Sequence, residues 1–156
     1  MDAWLTALQG SELALALRFS RWGYAFVKTA HILGIALLVG AIVPLDLRLL
    51  GLWSGIERAV LLRVLVPVAA TGLALAVTAG FLLFSTRAVD YAALPLFRIK
   101  LLLILAGSSS ALALHVVHGR LLETASRPRL IQAAALSMTC WIAALIAGRM
   151  IAFVGD

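Results

Sequence analysis

The sequence predicts an all-α integral membrane protein, a four-helix bundle preceded by a short N-terminal interfacial helix. Of its 156 residues, 63% are hydrophobic and 13% are charged, whereas a soluble domain is typically about 45–50% apolar and about 25% charged. Four apolar stretches are each long enough to cross a hydrocarbon core, which takes roughly 20 helical residues. We therefore expect positions 1–156 to form a single membrane domain.

The N-terminal segment is predicted to lie at the membrane surface. Residues 2–10 place Trp4, Leu5 and Leu8 on one helical face, which is typical of a short interfacial helix, with a disordered tail as the alternative. The segment lacks the basic stretch of a secretory signal, and Glu12 precedes the first long apolar run. We expect no cleaved signal peptide, so the first crossing would itself direct insertion.

Four membrane crossings are predicted after this segment, at about 22–50, 56–84, 96–118 and 130–154. Pro44 lacks an amide hydrogen, so it predicts a kink or a loosened turn near the end of the first crossing. The connections between crossings are predicted at 51–55, 85–95 and 119–128. None of the stretches alternates as a membrane β-strand does, and no internal repeat is evident.

Small residues recur four positions apart in the crossings, a pattern that predicts close helix packing in lipid. Cys140 lies within an apolar stretch and is the one cysteine of the chain, which excludes an internal disulfide and favours a buried, inert thiol. The predicted contact ridges are Ala36 and Gly40; Gly72, Ala76 and Gly80; Gly107 and Ala111; and Ala144 and Gly148.

The basic residues indicate a lipid bilayer rather than nucleic acid as the partner of this chain. The formal net charge is +6, but the lysines and arginines stand singly or in pairs between apolar stretches, as expected of helix ends that face lipid headgroups. They divide almost evenly between the two sides of the four crossings. The positive-inside rule therefore does not orient the chain.

Histidines inside the crossings are the sharpest candidates for chemistry, because ionisable groups in lipid are costly and usually functional. A neutral imidazole such as that of His31 coordinates a metal or haem iron through one nitrogen while the other forms a hydrogen bond. The alternative is a histidine that only hydrogen-bonds another helix. His115 and His118 share a helical face, which suits a metal ligand pair, a proton path or simple solvation near the headgroups.

Depth along the crossings divides the polar residues into two sets. His31 precedes the midpoint of the first crossing and His115 follows the midpoint of the parallel third crossing, an axial offset on the order of 15 Å. We therefore do not expect both to bind one iron. The half on the N-terminal side holds Lys28, His31, Arg98 and Lys100, which suit an anion such as a haem propionate. The opposite half holds Asp46, Arg48, His115 and His118, which suit proton transfer or a weak metal site.

Several segments resemble a bacterial four-helix membrane family of unknown function. They are AHILG at 30–34, DLRLLG at 46–51, GFLLF at 80–84 and FRIKLLL at 97–103, so the resemblance covers the first three crossings. More distantly, a histidine early in crossing one and a lysine early in crossing three are similar to the HemJ-type membrane protoporphyrinogen oxidases, which bind b-type haem, and to copper-resistance D-type membrane domains. The resemblance implies that His31 and Lys100 are functional positions.

The segment at 46–48 departs from the oxidases, where the resemblance leads us to expect an arginine- and tyrosine-rich stretch. Oxidase activity is therefore not implied, although haem binding is. Long basic side chains that merely extend to the headgroups are the alternative role for Arg98 and Lys100.

Three functional hypotheses follow. The first is a small bacterial inner-membrane protein that binds haem b for electron transfer, with His31 as ligand and Lys100, Lys28 and Arg98 near its anionic groups. Any enzyme activity would then be that of a haem-dependent membrane oxidoreductase, with a redox partner or a second copy as its protein contact. The second is a copper-handling membrane module that uses His31, His115 and His118. The third is a non-catalytic accessory subunit whose polar residues serve helix packing.

Overall fold

The structure, a computed structural model, confirms the all-α class. It describes residues 2–154; Met1, Gly155 and Asp156, which the predicted single domain includes, lie outside the described residues. Every regular element in that range is a helix. The helices are α1 (Asp2–Gln9), α2 (Glu12–Phe19), α3 (Arg21–Leu50), α4 (Arg58–Thr86), α5 (Ala88–Ala93), α6 (Pro95–His118) and α7 (Arg127–Val154).

Helices α3, α4, α6 and α7 are long and apolar enough to cross a membrane, with mean hydropathies of 2.1, 2.2, 1.8 and 1.9 over their most apolar windows. They coincide with the four predicted crossings, and their boundaries differ from the predicted ones by three residues at most. The protein is therefore a multi-pass membrane protein. Helix α3 continues past Pro44 to Leu50 and ends at Gly51, whose φ of +116° closes the helix with a bond to the Leu47 carbonyl.

The N-terminal segment forms two short helices where the sequence predicted one. Helix α2 begins because the Ser11 hydroxyl accepts a hydrogen bond from the Ala14 amide at 3.3 Å, an N-cap that the sequence interpretation missed. In α1, Leu5 is buried and Trp4 is 56% exposed, so the two do not share the packed face.

The connection predicted at 85–95 contains a helix, α5, and α1 packs against it. The Gln9 side chain accepts a hydrogen bond from the Val89 amide at 3.1 Å, in the first turn of α5. The N-terminal segment is thus fixed to the connection between α4 and α6.

Helices α3 and α4 approach each other through glycine. A Cβ placed on Gly34 would lie 2.5 Å from the Ala76 amide nitrogen, and one on Gly72 would lie 2.5 Å from the Leu38 amide nitrogen. The two backbones are therefore in contact, as the small residues of α4 predicted.

The ridge predicted on α3 was placed on the wrong face. Ala36 and Gly40 are exposed, and nothing lies within 4 Å of a Cβ placed on Gly40. Gly34 and Leu38 form the buried face instead. Spacing alone predicted a ridge, but the register of the partner helix selected a different one.

The four long helices are arranged in the order α4, α3, α7, α6. Helix α3 packs on both α4 and α7, and α7 packs on α6. Within residues 2–154, no Cα atom of α4 lies within 8 Å of a Cα atom of α6. Their side chains meet at one end, where the rings of Phe84 and Phe97 stack with centroids 5.2 Å apart. We refer to the space between these two helices as the α4–α6 cleft.

The opposite end of the bundle holds the main apolar cluster. Leu122, in the connection between α6 and α7, is 1% exposed and packs with residues from α3, α4 and α7. The cluster fixes the α6–α7 connection at this end. Its other buried members are Leu45, Leu49, Leu62, Leu130 and Ala134.

The buried faces of α4 and α7 carry the same residue types at matching positions. The buried Leu62, Ala76 and Ala79 of α4 each have a buried counterpart of the same type 68 positions later in α7, and Gly80 has a counterpart in Gly148. The counterparts of the first three are Leu130, Ala144 and Ala147.

Candidate functional site

His31 is held by α4 in a single tautomer. Its Nδ1 lies 2.8 Å from the carbonyl oxygen of Ala76. A carbonyl only accepts, so Nδ1 carries the hydrogen and Nε2 keeps its lone pair. The ring lies against Gly80, where a Cβ would come within 2.9 Å of the His31 Cε1 atom. The small-residue stripe of α4 thus provides both the acceptor and the space for the ring.

The second ring nitrogen of His31, Nε2, differs from Nδ1 in its surroundings. Within residues 2–154, no residue forms a hydrogen bond with Nε2, and this atom is not completely buried. The side chain as a whole is half-buried. His31 therefore presents an accessible lone pair on a fixed ring.

Lys100 lies against a glycine of the other helix pair, as His31 lies against Gly80. Its Nζ would lie 3.1 Å from a Cβ placed on Gly148, so the side chain extends over α7 where that helix has no side chain. The ammonium is close enough to His31 for an electrostatic interaction between them. The positions of these two residues along the first and third crossings had predicted that both lie in the same half of the membrane.

Two phenylalanines complete the candidate site, and the sequence interpretation did not identify them. Phe84 follows Gly80 by one turn of α4, and Phe97 precedes Lys100 by one turn of α6. Their stacked rings lie within 3° of parallel. Their spacing of one helical turn from Gly80 and Lys100 is the sequence feature that could have identified them.

The other basic residues predicted for this half do not join the site. Lys28 is exposed, although it is one turn from His31 on α3. Arg98 is also exposed, and its Nε donates to the Ala92 carbonyl at 3.0 Å, which holds the start of α6 against α5. The candidate site therefore reduces to His31 and Lys100 with the two aromatic rings.

The residues predicted for the opposite half do not form one centre. Asp46 is 5% exposed and lies next to Ser137 of α7, with its Oδ2 among the buried atoms that have no partner. Arg48 points to the connection instead, where Nε donates to the Ile56 carbonyl at 2.8 Å and Nη2 to the Ser54 carbonyl at 3.2 Å. Asp46 is therefore buried in the bundle, whereas Arg48 stabilises the connection between α3 and α4.

The two histidines of α6 also differ in their surroundings. His118 has its Nδ1 3.0 Å from the Thr124 hydroxyl and its Nε2 3.5 Å from Nη1 of Arg129, so its ring is engaged by the α6–α7 connection. His115 is half-buried on α6. Across residues 2–154, no three His, Cys, Asp or Glu side chains are grouped as metal ligands. The three histidines predicted for copper are therefore not assembled into one site.

Cys140 is buried and free, in agreement with the buried thiol predicted from the sequence.

No protein-family model, curated protein or solved structure matches this chain. The family resemblance carried by the sequence motifs stays a prediction.

Proposed function

We propose that this chain is a small bacterial inner-membrane protein that binds b-type haem in the α4–α6 cleft and takes part in electron transfer. One observation carries the proposal: His31 donates through Nδ1 to the Ala76 carbonyl and leaves Nε2 unpaired. Histidines that ligate metals characteristically donate their other ring N–H to a carbonyl or carboxylate, which fixes the ring and raises its basicity. A histidine that served only helix packing would not need an accessible Nε2.

The remaining residues of the site fit a flat, apolar and anionic cofactor. Lys100 supplies a positive charge in the same half of the membrane, suited to a propionate. Phe84 and Phe97 provide an aromatic wall at the end of the cleft. Haem would supply reversible one-electron chemistry there, while His31 would supply an imidazole ligand and Lys100 a positive charge.

The site offers one imidazole. His115 is on the same helix as Lys100 but fifteen positions later, which places it about 22 Å further along the axis. We therefore expect His31 to be the one histidine at this site that would hold the haem.

The test is an absorption spectrum of the full chain purified from haem-replete cells. We expect a Soret band that is lost in His31→Ala and kept in His115→Ala, the matched histidine of the opposite half. Absence of the band from the wild-type protein would reject haem binding. Equal loss in both variants, with folding intact by circular dichroism, would reject His31 as the ligand.

A second pair of variants tests the charge. We expect Lys100→Met to weaken haem binding about fivefold, corresponding to ~1 kcal/mol, whereas Lys28→Met on the exposed face of α3 should leave the affinity unchanged. Equal effects of the two variants would remove Lys100 from the site.

The competing hypotheses are decided on the same preparation. A copper-handling module would contain stoichiometric metal that is lost on substitution of His31, His115 or His118. A non-catalytic accessory subunit would contain neither haem nor metal, and alanine at His31 or Lys100 would lower only its expression or assembly.

A further inference from the structure

A cavity lies at the end of the bundle opposite to the His31 end. It has a volume of about 660 Å³ and lies between the α3–α4 and α6–α7 connections. Three arginines, Arg48, Arg58 and Arg127, line it together with Glu57 and Glu123. No part of the proposed haem site contributes to it, so it requires a separate explanation.

Two of the arginines are held in place by the backbone. Arg48 bonds to the carbonyls of Ser54 and Ile56, and Arg58 donates from Nη2 to the Leu122 carbonyl at 3.0 Å. The bond from Arg58 joins the two connections across the cavity. Each guanidinium has five N–H donors, so both keep donors beyond these bonds.

Arg127 reaches across the cavity without such an anchor. Its Nη2 lies 3.9 Å from the position of a Cβ on Gly51, so the side chain extends from the start of α7 to the end of α3. Among residues 2–154, it forms no ion pair with Glu57 or Glu123. The three cations therefore outnumber the two carboxylates, and their charges are not neutralised by direct pairing.

The cavity also lies at the level of the lipid headgroups, because it is formed where α3 ends and where α4 and α7 begin. Guanidinium groups bind phosphate through paired, charge-assisted hydrogen bonds. We propose that this cavity binds a phosphate group, carried by an anionic phospholipid or by a soluble phosphate ester, and that Arg127 is its mobile clamp. The connections of both helix pairs would then be joined by one ligand.

The experiment uses the full chain in a zwitterionic detergent. Short-chain phosphatidylglycerol and inorganic phosphate are titrated separately by calorimetry. Binding of either supports the proposal, and it should weaken as salt is raised because the contact is ionic. Binding of the lipid alone identifies a headgroup as the source, whereas competition by inorganic phosphate identifies a free phosphate.

Arg127→Gln should lower the affinity at least tenfold. Arg120→Gln is the matched control, since Arg120 is an exposed arginine of the neighbouring α6–α7 connection and does not line the cavity. Equal affinity of the two variants, or the absence of binding by the wild type, would overturn the proposal. Neither result depends on whether His31 binds haem.

Discussion

The two helix pairs of this protein, α3–α4 and α6–α7, use their glycines differently. In the α3–α4 pair, Gly34 and Gly72 let two backbones touch. In the α6–α7 pair, Gly107 faces the indole of Trp141 and Gly148 faces the Lys100 side chain. The first pair is joined backbone to backbone at these two glycines and has the His31 ring at Gly80, whereas the second pair has a large side chain at both of its glycines.

This difference explains how the two polar residues of the cleft behave. His31 lies on the close-packed pair, where a backbone carbonyl fixes its ring. Lys100 lies on the pair with side-chain contacts, and its flexible stem rests on Gly148. A fixed imidazole and a flexible basic side chain therefore lie on different helix pairs.

The largest effect should come from Gly34→Ala. Its new Cβ would meet backbone atoms of Ala76 at 2.5 and 2.9 Å, and backbone cannot rotate away, so the helices must separate. Overpacking of this kind costs about 1–3 kcal/mol, more than the gain of up to about 1 kcal/mol from replacing a helical glycine. Unfolding in detergent measures the loss. Gly40→Ala is the control, since nothing lies within 4 Å of its Cβ, and an equal loss there would contradict the packing argument.

An intermediate effect is expected for Gly107→Ala. The Cβ would lie 3.2 Å from the Trp141 ring and 3.4 Å from the Cys140 Cβ, so the indole must tilt by a few tenths of an ångström. We expect a destabilisation of about 1 kcal/mol together with a changed near-ultraviolet circular dichroism spectrum. An unchanged spectrum would show that the indole is not held against Gly107.

The smallest effect on stability is expected for Gly148→Ala. Its Cβ would meet the end of the Lys100 side chain at 3.1 Å, and that end can move at little cost. The unfolding free energy should stay within about 0.5 kcal/mol of the wild-type value. A loss as large as that of Gly34→Ala would mean that Lys100 is locked in place, and the contrast between the two pairs would fail.

The crossings were predictable because lipid imposes a length and a composition that can be counted in the sequence. The depth of His31 and Lys100 was predictable for the same reason, since helical rise converts position into distance. The start of α2 was also predictable, because serine is a preferred N-cap residue and Ser11 precedes this helix. Helix α5 was less accessible, because the first turn of this six-residue helix is stabilised by Gln9, eighty positions away.

Facing directions were not predictable from spacing. Lys28 and Arg98 belong to the same half as His31, yet both are exposed. Gly40 follows the same small-residue spacing as Gly72, yet only Gly72 is in contact with another helix. In an apolar helix the hydrophobic pattern is nearly uniform around the axis, so it does not distinguish the lipid face from the packed face.

The sequence by itself therefore determined the number of crossings, their bounds to within three residues and the position of each polar residue along its crossing. The tertiary structure alone decided which of those residues meet: His31 with Ala76 and Gly80, Lys100 with Gly148, and Arg58 with Leu122. The physical reason is that burial in lipid depends on composition along one helix, whereas a binding site depends on the rotation of each helix against its neighbours. That rotation is set here by the glycines that let specific faces approach.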